Sequence, residues 1–210
     1  MNSPGQDDCH YYEPSAGHGL PHDPMNSIVG PRPIGWVSTL GSSGVRNLAP
    51  YSFFNMFCYR PPIIGFCSTS AKDSLRNVQE SGEFVWNLAT RDLADRMNTS
   101  SAAVPYEVDE FELAGLTPAP SRLVRPARVA ESGVNLECKV TEIVRLKDRH
   151  GGQTSSWVVF GEVVAVHIRR SLLKDGLFDT FGAGIILRGG GPSAYAHITP
   201  ESRFDIDRPR

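Results

Sequence analysis

The sequence predicts a mainly β protein built on a closed or partly closed antiparallel sheet, with short helices at its periphery. Three observations carry this. Short β-type runs follow one another between glycine- and proline-rich turns. Two longer runs, residues 136–146 and 157–169, flank a polar turn. The regular alternation of strands with helices that marks a parallel sheet is missing.

In chain order, residues 1–30 are rich in Pro, Gly, His and Asp and read as an irregular leader wrapping the domain that fills 31–210. The first strand is predicted over 34–40 and ends at Gly41-Ser42-Ser43-Gly44. The run 45–54 completes a hairpin around that turn, and Pro50 puts its strand at an edge or a bulge. Pro61-Pro62 breaks the chain before a third apolar run, 63–67. A hydroxyl-rich loop, 68–71, feeds a helix predicted over 74–80 and closed by Ser81-Gly82. Residues 84–88 read as a strand, and 93–100 as a second helix with Asp92 as its N-cap. Residues 104–130 hold several prolines and form a crossing loop around Phe111-Glu112-Leu113. The run 136–146 alternates polar and apolar residues. The run 157–169 is more continuously apolar, as expected of a strand buried on both faces. Asp148 to Gly152 makes the turn between them, and the tail from Lys174 has one apolar patch at 185–187.

Composition narrows the function classes. Hydrophobic residues make up 40% and charged residues 21% of the 210, as in an ordinary globular domain. Lys plus Arg number 21 and Asp plus Glu 23, a net charge of −2, so no bulk field draws the chain to nucleic acid or anionic lipid. A polar start with Asp7 and Asp8 argues against a secretory signal, and no apolar run is long enough to span a bilayer. Cys9, Cys58, Cys67 and Cys138 form no Cys-x-x-Cys pair. The expectation is a cytoplasmic protein without disulfides or structural zinc. Asn98-Thr99-Ser100 fits a glycosylation sequon, which carries no weight without secretion.

Three stretches could carry chemistry. In Cys67-Ser68-Thr69-Ser70-Ala71-Lys72-Asp73-Ser74 a strand feeds a loop of small hydroxyl residues, and the loop feeds a helix. Free amides and the positive dipole end of that helix, the hydroxyls of Ser68, Thr69, Ser70 and Ser74, and the ammonium of Lys72 suit a phosphate monoester. The bland alternative is a plain helix capped by Ser70 or Asp73. In Asn47-Leu48-Ala49-Pro50-Tyr51-Ser52-Phe53-Phe54-Asn55, polar groups interrupt an aromatic strand that could present backbone groups to a planar heterocycle. In Pro31-Arg32-Pro33-Ile34-Gly35-Trp36-Val37-Ser38-Thr39, the last two hydroxyls could bond a polyol chain or phosphate. Other signals carry less. His18 and His22 have the i, i+4 spacing of a helical metal site, but Gly19 and Pro21 lie between them. Gly182-Ala183-Gly184 lacks the third glycine of a dinucleotide fingerprint. His167, in an apolar run, reads as structural or interfacial. Acid–base residues are scarce in these stretches, which fits chemistry supplied by a cofactor.

Taken together these stretches resemble the flavin reductase-like family of FMN-binding split barrels, its flavoredoxin-type branch in particular. Lys72-Asp73-Ser74-Leu75-Arg76-Asn77, Gly82-Glu83-Phe84, Asn87-Leu88, Met97-Asn98, Glu137-Cys138 and Gly161-Glu162-Val163-Val164 add to the match. The resemblance implies an antiparallel split β-barrel with short peripheral helices, working as a homodimer. It implies non-covalent FMN, with NADH or NADPH as electron donor and a small-molecule substrate or acceptor. The cofactor contacts it implies are Trp36, Val37, Ser38 and Thr39 on one strand, and Ala49, Tyr51, Ser52, Phe53 and Asn55 on the next. Ser70, Lys72, Ser74 and Asn77 would serve the phosphate. A flavin reductase, an electron carrier without its own substrate, and a flavoenzyme specialised for a small organic molecule all stay open. Leu187-Arg188-Gly189-Gly190-Gly191-Pro192-Ser193-Ala194-Tyr195 is longer and richer in glycine than the segment usual in the family.

Overall fold

The structure, a computed structural model, describes residues 8–209. After a one-turn helix α1 (Met25–Ile28) come β1 (Arg32–Pro33), β2 (Gly35–Leu40), β3 (Arg46–Tyr51), β4 (Phe54–Tyr59) and β5 (Pro62–Ser68). Helix α2 (Asp73–Ser81), β6 (Glu83–Asn87), α3 (Ala94–Thr99) and α4 (Glu110–Leu113) follow. Then come β7 (Pro118–Ala119), β8 (Arg128–Val129), β9 (Val134–Lys147) and β10 (Gln153–Ile168). Short pairs close the chain: β11 (Leu173–Lys174) with β12 (Leu177–Phe178), and β13 (Ile186–Arg188) with β14 (Tyr195–His197).

Seven strands form one antiparallel sheet in the order β3-β2-β6-β9-β10-β5-β4. Its two edge strands, β3 and β4, are consecutive in sequence and joined only by Ser52 and Phe53. A two-residue link brings opposite edges together only if the sheet curls around on itself. At the seam Cys67 N–H donates to Phe53 O at 2.8 Å, but no β3–β4 ladder closes the sheet among the described residues. The curl encloses Val37, Phe66, Leu75, Val78, Phe84 and Val159. A second core, with Trp36, Leu48, Met97, Phe111, Val129 and Ile186, packs on the other side of β2. Alternation along β2 sends Trp36 into one core and Val37 into the other, so the strand is buried on both faces. Helix α2 buries Leu75 and Val78 on one face and ends on Gly82, whose φ of 68° is the left-handed conformation of a helix-terminating glycine.

The wide curl needs close passage at Gly161 on β10. A Cβ there would sit 2.4 Å from Phe84 Cε1 and 2.7 Å from Cζ. Gly161→Ala is therefore expected to cost about 1–3 kcal/mol by overpacking, read as a lower urea midpoint with an unchanged slope.

The structure departs from the sequence reading in three places. The run 45–54 is not one strand: it ends at Tyr51, and Phe54–Tyr59 is a separate edge strand, because the chain there crosses from one sheet edge to the other. Asp92 is not an N-cap. A 3-10 turn, Arg91–Leu93, starts after Thr90 and runs into α3, so Asp92 lies inside the first turn. The run 157–169 is buried on both faces only in part. Val166 and Ile168, on the face of β10 opposite His167, stay exposed. Pro50 lies on an edge strand, as expected: it offers no N–H, and the neighbouring Leu48 N–H is taken by Glu110.

Candidate functional site

Two adjoining cavities share Pro50 and Ser101 and run along the free edge of β3. The smaller, about 370 Å³, is a corner. Its walls are Asn47, Ala49 and Tyr51 of β3, the α2 opening at Lys72 to Ser74, and the segment after α3 from Ser100 to Val104. The larger, about 780 Å³, lies between β3, α3 and the β13–β14 flap, with Ser52, Asn98, Arg188, Tyr195 and His197 on its walls.

A buried polar network fixes the corner. Ser74 Oγ donates to Asn47 Oδ1 at 2.7 Å, and Thr39 Oγ1 donates to the same atom at 3.2 Å. Asn77 Nδ2 donates to Thr39 Oγ1 at 3.0 Å, and Tyr106 donates to Asn77 Oδ1 at 2.9 Å. Asn47 Nδ2 and Leu48 N–H donate to the Glu110 carboxylate at 2.8 and 3.0 Å. Burial pushes the Glu110 carboxyl above its ordinary value, and these donors only partly offset it.

Two features remain open in this corner. Lys72 occupies the N-cap of α2 and Asp73 its first turn, and no side chain caps the helix, so its opening amides are free. Tyr51 Oη is the one buried side-chain oxygen or nitrogen among the described residues without a partner. Its hydroxyl lies beside those of Ser68 and Ser74, but no hydrogen bond of proper geometry reaches it. Burial raises the phenol's pKa, so it remains a donor. An uncapped helix opening beside an unspent buried hydroxyl is what an anionic group requires.

The implied contact residues divide. Ala49, Tyr51, Lys72 and Ser74 line the corner, and Ser52 lines the larger cavity. Trp36, Val37, Ser38 and Thr39 are buried and line neither. Trp36 donates to Ser100 Oγ, Ser38 to Ala127 O, and Thr39 belongs to the Asn47 network. Asn77 sits one layer behind Ser74 in that network. Ser70 is exposed, and its carbonyl accepts from Ser68. Phe53 is exposed under the Arg32 guanidinium, and exposed Asn55 accepts from Met56 N–H. Ser74 spends its proton on Asn47, which leaves Tyr51 as the free hydroxyl donor. Asn98, Ser101 and His197 also line the cavities and are not among the contacts the sequence implies. Only Asn98 carried a local signal, in Met97-Asn98.

Residues 27–183 match the family model described as the flavin reductase like domain. The chain belongs to the flavin reductase-like family. Nitrilotriacetate monooxygenase component B from Bacillus cereus is similar across the whole fold: 27% identity, TM-score 0.83, covering 98% of this chain and 100% of that one. The 2-nitrobenzoate 2-nitroreductase of Pseudomonas fluorescens is 30% identical at TM-score 0.77, covering 87% and 88% of the two chains. Flavoredoxin of Desulfovibrio vulgaris, 21% identical at TM-score 0.72 over 84% and 90%, shares the fold. Membership in the flavin reductase-like family supports a flavin-related oxidoreductase. No helix among the described residues is long and apolar enough to cross a membrane.

Proposed function

We propose that this protein holds FMN non-covalently in the cleft along β3 and passes electrons from NADH or NADPH to a small organic acceptor. The observation that carries the reading is the buried, unpartnered Tyr51 hydroxyl beside the uncapped opening of α2. Tyr51, the α2 amides and Lys72 would hold the phosphate, while the β3 edge from Ala49 to Ser52 would face the ring system. The bound flavin would supply hydride acceptance and electron release. Trp36, Ser38, Thr39 and Asn77 serve this site from behind, by fixing β3 and α2 in place. The cleft residues bind and orient, and the β13–β14 flap with Tyr195 restricts water. In the proposed homodimer a second copy would cover the apolar side chains of Met56, Phe57 and Tyr59 that the edge strand β4 exposes.

The test is a titration of flavin-stripped protein with FMN, followed by addition of NADH or NADPH under anaerobic conditions. Lys72→Ala is expected to weaken FMN binding about tenfold without unfolding the protein, from the loss of one exposed charge-assisted hydrogen bond. An unchanged affinity would take Lys72 out of the site. Bleaching of the flavin absorbance by either nucleotide alone supports an enzyme with its own donor. No bleaching by either would leave only a carrier.

A further inference from the structure

We propose that a recess lined by Arg122, Arg128 and Arg169 is a second anion site, shaped for a phosphate monoester carried on a nucleotide. The recess measures about 540 Å³ and lies against the C-terminal end of β10. Its distinguishing feature is charge. Four other cavities among the described residues each mix cations with at least one acidic side chain: Asp95, Glu131, Asp109 and Glu110 are examples, one in each. This one is lined by three arginines and His167, with no Asp or Glu on its wall.

The carboxylate of Glu137, bonded to the Arg122 amide and to His167, is fully buried and already engaged. It accepts from Arg122 N–H, Leu123 N–H and His167 Nε2. Glu137 therefore neutralises no guanidinium. Instead, it fixes the backbone that presents Arg122.

Two of the three arginines are preorganised. Arg128 donates to Pro120 O and Asn135 Oδ1, and Arg169 donates to Glu131 O. These bonds fix both guanidinium groups and leave further N–H groups of each uncommitted. Arg122 has no side-chain partner among the described residues. Guanidinium forks match phosphate oxygens in pairs, and a dianion suits three of them. At about 540 Å³ the recess is larger than a bare ion needs, which leaves room for a sugar or base beside the phosphate.

Position suggests the nucleotide. Arg169 and Gly133 are shared with a second recess, which in turn shares Arg91 and His197 with the larger cavity of the cleft. A dinucleotide with its nicotinamide in the cleft can run along this furrow and place its adenosine end at the arginines. The 2′-phosphate that distinguishes NADPH from NADH is the monoester chemistry they fit. This assignment of the nucleotide rests on the proposed flavin cleft; the anion site itself does not.

Calorimetric titration of flavin-stripped protein tests the site directly, with 2′,5′-ADP, 5′-AMP and inorganic phosphate as probes. Binding of 2′,5′-ADP is expected to be about tenfold tighter than that of 5′-AMP, and about tenfold weaker in Arg122→Ala, as for one lost charge-assisted contact. Affinity should fall with added salt. In flavin-loaded protein the same exposed substitution is expected to raise KM for NADPH while leaving KM for NADH and kcat unchanged. Equal binding of 2′,5′-ADP and 5′-AMP, or an Arg122→Ala protein that binds 2′,5′-ADP as the parent does, would overturn the proposal. So would inorganic phosphate binding as tightly as 2′,5′-ADP. Failure of FMN to bind would instead sink the cleft assignment, with the titration result still standing.

Discussion

Glu137→Ala is expected to lose about 3–5 kcal/mol of folding stability, the usual result of removing one partner from a buried charged network. Glu137 is fully buried on β9 and receives three hydrogen bonds, two from the crossing loop and one from His167 on β10. The substitution orphans all three donors and releases the loop from the sheet. Glu137→Gln keeps an acceptor and should lose less. Burial alone would push the Glu137 carboxyl up; the two amides and His167 outweigh it and hold the pKa below its ordinary value. A carboxyl depressed in the folded state stabilises at pH above its unfolded value, and that contribution fades as pH falls through the folded one. Urea melts of parent and Glu137→Gln from about pH 7 to about pH 3 check this. The gap between the two proteins should narrow toward acid. A constant gap would mean that the carboxylate's charge is irrelevant to folding.

Tyr51→Phe should act in opposite directions on stability and on binding. An unsatisfied buried hydroxyl costs about 1–3 kcal/mol, so its removal should stabilise flavin-free protein by up to that amount. The same removal should weaken FMN binding about tenfold, since a donor to the phosphate is lost. Few substitutions in a packed core raise the melting point while damaging a site, so the pairing of signs is diagnostic. Thermal melts without flavin and a fluorescence titration with FMN read the two effects separately. A variant more stable but equal in FMN affinity would show that the hydroxyl faces no ligand.

The β-rich class was legible because turn chemistry and strand patterning agree along most of the chain. Gly41-Ser42-Ser43-Gly44 and the Asp148 turn bracket strands close to where they were expected. The strand Phe54–Tyr59 was not legible, because its exposed apolar side chains show no period-2 signal against a solvent face. In the site, Lys72 and Tyr51 could be found because a strand–loop–helix junction has a local signature. Residues 36–39 could not be separated from the residues that line the cavities: a strand buried on both faces and a strand lining a cavity read alike. Ser101 and His197 reach the cleft through long-range packing, which no local pattern encodes.

Across the β1–β13 pair, Arg32 and Arg188 stand directly opposite each other, yet each spends its guanidinium on backbone carbonyls. Arg32 gathers Asn26, Val29 and Ser52; Arg188 gathers Gly191, Pro192 and Ala194. Ser27 of the leader also fills the space where a side chain at Gly190 would go. The residues ahead of the sheet thus brace the flap that walls the cleft: trimming them, or fusing bulk to them, is expected to change which molecules can enter.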